Sequence, residues 1–131
     1  MHKVIIDANV WIKYARIKNI EPLLSRFITY NFLPVINNYL LSEICDALVD
    51  NKWMHSEDAI KLTLFIKKIS LEKTEKAVYA LTSDPKDNYL FDLAIQNNCL
   101  FIISDDKKLS ETPLKQASVY SSAWFLKKFP I

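Results

Sequence analysis

The chain contains no glycine among its 131 residues. Glycine is what lets a backbone turn through left-handed geometry and approach a phosphate closely, so phosphate-cradling loops of the P-loop or dinucleotide type are excluded. Cysteine is scarce: Cys45 and Cys99 lie far apart, without CxxC or Cys/His spacing. They form no thiolate metal motif and read as buried, reduced thiols of a cytoplasmic protein. Histidine is limited to His2 and His55. No run of about eighteen apolar residues is present, which excludes a membrane-spanning helix. Met1-His2-Lys3 passes directly into a strand pattern, leaving no room for a signal peptide. Charge is nearly balanced, with 17 basic and 15 acidic residues. The resulting +2 is too small to identify a nucleic-acid partner.

What is present fits one domain over residues 1–131, half of it hydrophobic and long enough to bury a proper core. Val4-Ile5-Ile6 reads as a short strand buried on both faces, ending abruptly in Asp7, Ala8 and Asn9. Short helices are expected over Val10–Lys18 and Glu21–Tyr30, the latter with Pro22 in its first turn. Phe32–Ile36 reads as a second strand, with Pro34 arguing for an irregular or edge position. Asn37 or Asn38 can cap a helix to about Val49, whose apolar stripe is Leu41, Ile44, Cys45 and Leu48. Ser56, Glu57 and Asp58 open a helix through Lys68. Ile69–Leu71 fits a brief strand, and Glu72–Leu81 is ambiguous between helix and loop.

Asp84-Pro85-Lys86-Asp87 combines an N-cap acid, a proline at the first helical position and an acid in the first turn. It predicts a helix to about Asn97, ended by Asn97-Asn98. Leu100–Ile103 is a second all-apolar strand, running into Ser104-Asp105-Asp106. Ser118–Tyr120 is a last strand, and Ser121 or Ser122 caps a terminal helix carrying Trp124, Phe125 and Phe129. Strands alternating with helices predict a three-layer α/β/α domain with a mostly parallel central sheet.

An ionised Asp at the mouth of a buried strand is costly unless a cation, a donor or solvent compensates it. If Val4–Ile6 and Leu100–Ile103 run parallel, both acidic ends reach one sheet edge, where ligands of such folds sit. Asp87 heads the stripe Leu90, Phe91 and Ala94 and can join them, whereas Asp92, beside Gln96, reads as solvated. Periodicity does not choose among Glu43, Asp46 and Asp50.

The set Val4-Ile-Ile-Asp7-Ala-Asn9-Val-Trp11, Leu41-Ser-Glu43-Ile, Asp84-Pro-Lys-Asp87 through Ala94, and Phe101-Ile-Ile-Ser104-Asp105-Asp106-Lys-Lys-Leu109 resembles the PIN-domain family in order and spacing. It is most similar to the branch of toxin components of toxin–antitoxin pairs. That resemblance implies an endoribonuclease whose acidic cluster, Asp7, Glu43, Asp87 and Asp106, holds Mg²⁺ or Mn²⁺. It implies supporting roles for Asn9, Ser104 and Asp105, RNA as substrate, and an antitoxin partner and a homodimer. The chain departs from the family's pattern where Ala8 replaces Thr, Lys86 stands in place of a common acid, Ser104 takes a Thr position, Asp105 replaces Gly and Lys108 replaces a further acid.

Hard divalent ions take oxygen ligands, and crowded carboxylates repel one another without a cation. Such an ion activates water and stabilises charge on a phosphodiester, so no Ser-His or Cys-His nucleophile is needed. Lys13, Arg16 and Lys18 follow the first motif and Lys107 and Lys108 the last; both groups can flank the acidic mouth and neutralise phosphates, or be ordinary solvated charge. Trp11, Tyr14 and Tyr89 are candidates for base stacking or for core. The rival reading is a catalytically weak PIN-like module that binds RNA or protein, for which Lys108 speaks. A receiver-like signalling domain fits poorly, because it needs an acidic pair near the first strand and an acceptor Asp on a middle strand.

Overall fold

Val4, Ile5 and Ile6 are fully buried, and around this triplet a five-stranded parallel sheet is assembled. In the computed structural model, residues 1–78, 85–111 and 117–131 are described. The strands are β1 (His2–Ile6), β2 (Phe32–Ile36), β3 (Leu71–Glu72), β4 (Ile102–Ile103) and β5 (Val119–Tyr120), in the order β3-β2-β1-β4-β5. Every strand pair is parallel. The helices are α1 (Ala8–Arg16), α2 (Glu21–Tyr30), α3 (Asn38–Asp50), α4 (Ser56–Ile69), α5 (Pro85–Gln96), α6 (Lys107–Ser110) and α7 (Ser122–Lys128). Together they make a three-layer α/β/α architecture, as the alternation of patterns predicts.

The chain winds outward from β1 through β2 to β3, then returns to place β4 on the other side of β1. This reversal of direction is a topological switch point, and in open parallel sheets it leaves a crevice at the carboxyl ends of the strands. The Asp7 amide donates to the Ile103 carbonyl at 2.8 Å, so the ladder fixes the end of β1 beside the end of β4. The opposite end of the core is closed by aromatic rings: Phe32 and Phe101, at the start of the β2 and β4 runs, pack on Phe125 and Phe129.

The expectation that Pro34 occupies an edge is not met, because β2 lies between β1 and β3. The Asn31 carbonyl accepts from the His2 amide and the Ile36 carbonyl from the Lys73 amide, so alternate residues of this run face opposite neighbours. That alternation turns Pro34 toward β3, whose pairing begins only opposite Val35. The missing N–H of Pro34 therefore falls where no ladder has started. Leu100 also departs from a strand buried on both faces, since it is 53% exposed.

Glycine's absence is met at the helix ends. Lys18, Asn31, Lys52 and Asn98 take positive φ, between 55° and 58°, just after α1, α2, α3 and α5. The expected N-cap of α5, Asp84, lies outside the described residues, as do 79–81 of the ambiguous 72–81 segment. The described part of that segment, after β3, is irregular.

Candidate active site

Asp7 stands where β1 stops and α1 begins, and its side chain serves both. One oxygen, Oδ1, accepts from the Ala8 amide at 2.7 Å, capping α1. The other, Oδ2, accepts from the Ser104 hydroxyl at 2.7 Å, across from the end of β4. The residue is only 7% exposed. Burial is the main force on its carboxyl and pushes it from 3.8 up to about 6, with the nearby charges of Glu43 and Asp87 pushing the same way. The hydrogen bonds from Ser104 and Ala8 only partly oppose this.

Acids from α3 and α5 thus act on Asp7, just beyond β1, at the switch point. Among the helix acids that periodicity left equal, Glu43 is the one that perturbs Asp7; Asp46 and Asp50 instead raise the Cys45 thiol, behind the burial that is its main cause. The Tyr89 hydroxyl donates to Glu43 Oε1 at 3.2 Å, and its ring packs edge-on against Tyr39 with centroids 4.9 Å apart. Burial first, then the charges of Glu43 and Asp7, drive the Tyr89 phenol far above its ordinary value, so it keeps its proton and remains a donor. Periodicity gives no sign of this contact, which joins residues on two helices.

Asp106 enters the same edge differently. Its amide donates to Ser104 Oγ at 3.1 Å, and its carboxylate accepts from the Lys108 amide at 2.9 Å as the cap of α6. Ser104 therefore bridges Asp7 and Asp106, while Asn9 reaches it through Nδ2 at 3.4 Å and accepts from the Asp105 amide through Oδ1. Asp105 turns toward α7: both its oxygens accept from the Ser122 hydroxyl, and Lys13 Nζ lies 3.6 Å away. Partial burial works against its ionisation, but the bonds from Ser122 and the Lys13 charge outweigh it and hold the carboxyl below its ordinary value. Lys13 also donates to Ser122 at 3.0 Å, which anchors it beside the mouth. Lys107 and Lys108 are exposed in the first turn of α6. Trp11 and Tyr14 belong to the core.

Asp92 corrects the sequence reading. It is not solvated but 2% exposed, and both of its oxygens accept from the Val78 amide at 3.2 Å. One turn on, Gln96 exchanges two hydrogen bonds with the Lys76 backbone. The polar side of α5 therefore clasps the segment after β3, and residues on every side of this helix are covered, which is why period alone misplaced Asp92.

The donors the candidate acids offer are carboxylate oxygens, the type that suits Mg²⁺ or Mn²⁺. The mutual repulsion that raises Asp7 is the kind a cation relieves. Among the described residues, however, no three His, Cys, Asp or Glu side chains are grouped closely enough to hold a metal ion. The donor chemistry fits such an ion, and the acids stand apart from one another.

No curated protein matches this sequence. A family model described as PIN domain matches residues 3–108, a span that includes Asp7, Glu43, Asp87 and Asp106. PIN domains are in general metal-dependent nucleases. With the five-stranded parallel sheet, this match makes the chain a member of the PIN-domain family.

Proposed function

We propose that this protein is an endoribonuclease dependent on Mg²⁺ or Mn²⁺, acting in the cytoplasm as the toxin of a toxin–antitoxin pair. The observation that carries the reading is the buried Asp7 at the sheet's switch point, joined through Ser104 to Asp106 and acted on by the charges of Glu43 and Asp87. Asp7, Glu43, Asp87 and Asp106 would hold the cation. When bound, a divalent ion supplies an activated water and offsets charge on the scissile phosphate. Ser104 and Asn9 keep Asp7 and the Asp106 backbone in register through the hydrogen bonds they share. Tyr89 holds Glu43 through a phenol that does not ionise. Asp105 fixes Lys13, and Lys13, Lys107 and Lys108 meet the phosphates of the RNA. An antitoxin partner and a homodimer belong to the same proposal.

A second reading, a PIN-like module that binds RNA or protein with little catalysis, is favoured by one feature. The described acids are not gathered into a compact triad. Single-stranded RNA with added Mn²⁺ separates the two readings. Under the nuclease reading, the wild type cleaves, chelation stops it, and Asp7→Asn loses about 10²-fold or more of the rate. Equal cleavage by wild type and Asp7→Asn identifies a contaminating nuclease and removes the enzymatic reading. Binding without cleavage supports the module instead.

A further inference from the structure

One face of α1 leads away from the acids. Asn9, Lys13 and Arg16 stand at i, i+4 and i+7 of this helix, one stripe about 10 Å long. The stripe lines a hollow of about 660 Å³, shared with Asn51 and Trp53 and without a carboxylate in its lining. Its near end is Asn9, which bonds Ser104 at the candidate active site. Its far end is the Arg16 guanidinium, lying 3.8 Å from the centre of the Trp53 ring.

Trp53 is placed there by the end of α3. Lys52 adopts left-handed geometry with φ 58°, and the Trp53 amide donates to the Leu48 carbonyl at 3.0 Å, so the indole stands on a fixed turn. It is 37% exposed, a large aromatic surface left in water beside an exposed Arg16. Trp53 also lines a second hollow, of about 710 Å³, with Lys18, Lys52 and a single acid, Asp58. Trp53 is thus a ridge shared by two hollows edged by cations.

Resting on the ribonuclease reading above, we infer that the Arg16–Trp53 stack is a base-stacking platform, and that single-stranded RNA runs from the acidic crevice along the Asn9–Lys13–Arg16 stripe to reach it. Three features favour RNA as the occupant. The hollow shares Asn9 with the candidate active site, its charged lining is cationic where a phosphate backbone would run, and it ends in the arginine and aromatic planes on which unpaired bases stack. Lys13, pinned by Asp105 and Ser122, offers a positioned ammonium midway.

The test measures binding of a fluorescently labelled, short single-stranded RNA of mixed sequence to the full chain in EDTA, and cleavage of the same RNA and of a dinucleotide with Mn²⁺. Trp53→Ala is expected to weaken binding about tenfold, Trp53→Phe to retain most of it, and Arg16→Ala to lower the salt dependence by about one phosphate. Cleavage of the longer RNA should lose KM rather than kcat, with the dinucleotide unaffected. Wild-type binding matched by both Trp53→Ala and Arg16→Ala overturns the platform and leaves the nuclease reading standing. Wild type that neither binds nor cleaves RNA overturns both. A dimer lost on Trp53→Ala, with RNA affinity unchanged, assigns the ridge to a second copy of the chain and also overturns the platform.

Discussion

Asp7 performs three tasks with one carboxylate: it ends β1, caps α1 and receives the Ser104 hydroxyl. Its burial makes it a titratable group with a stability signature. Its carboxyl is raised in the folded protein, from 3.8 to about 6, so the native state holds the proton more tightly than the unfolded chain does. Stability is then fully present below about pH 4 and is lost as pH rises through about 6. At about 1.4 kcal/mol per tenfold difference, the full effect is about 3 kcal/mol in metal-free protein. Urea unfolding in EDTA across this window should therefore show stability falling with pH for the wild type. Asp7→Asn should flatten that slope, and an unchanged slope in the variant would place the titration elsewhere. Asp92, by comparison, is a buried acid whose two oxygens anchor the Val78 backbone.

Helices and strands here end without the residue best suited to ending them. Four helix termini pass through left-handed geometry on Lys or Asn, because the chain has no glycine to offer. A lysine in this conformation costs about 1 kcal/mol through contact of its Cβ with the backbone. Lys52→Gly removes that contact while keeping the turn that carries Trp53, and is expected to stabilise the fold by about 0.5–1 kcal/mol. A thermal unfolding midpoint at or below that of wild type would show that the lysine side chain contributes more than its backbone strain. The same elements explain how much periodicity could show. The α2 and β2 boundaries follow directly from their patterns, since each has one covered stripe or a continuous apolar run. Helix α5 is covered by the core on one side and by residues 76–78 on another, so its buried acid looks polar and exposed when read as a wheel.

Across the whole molecule, the proposed nuclease site and a stability cost meet at the sheet's switch point. The charges of Glu43 and Asp87 and the burial that raise Asp7 disfavour its ionised form in the metal-free fold, and under the proposed function a bound cation would offset this. Mn²⁺ at about a hundredfold over its dissociation constant should add about 2.7 kcal/mol to unfolding. Calorimetry should show the midpoint rising with Mn²⁺ for the wild type and much less for Asp7→Asn. An equal rise in both would mean that the ion binds away from this crevice.

The amino-acid sequence by itself determined the alternation of elements, the absence of glycine-built phosphate loops, and the two apolar strands that end in acid, because these depend only on local pattern and residue chemistry. The PIN-type motifs were legible for the same reason, as short runs of fixed order. The nearness of Glu43 to Asp7, which periodicity left undecided and the family resemblance implied, the inward turn of Asp92, the Tyr89–Glu43 bond and the Arg16–Trp53 ridge belong to tertiary structure. Each joins segments distant along the chain, and no periodicity within one segment records what a neighbouring helix brings to it.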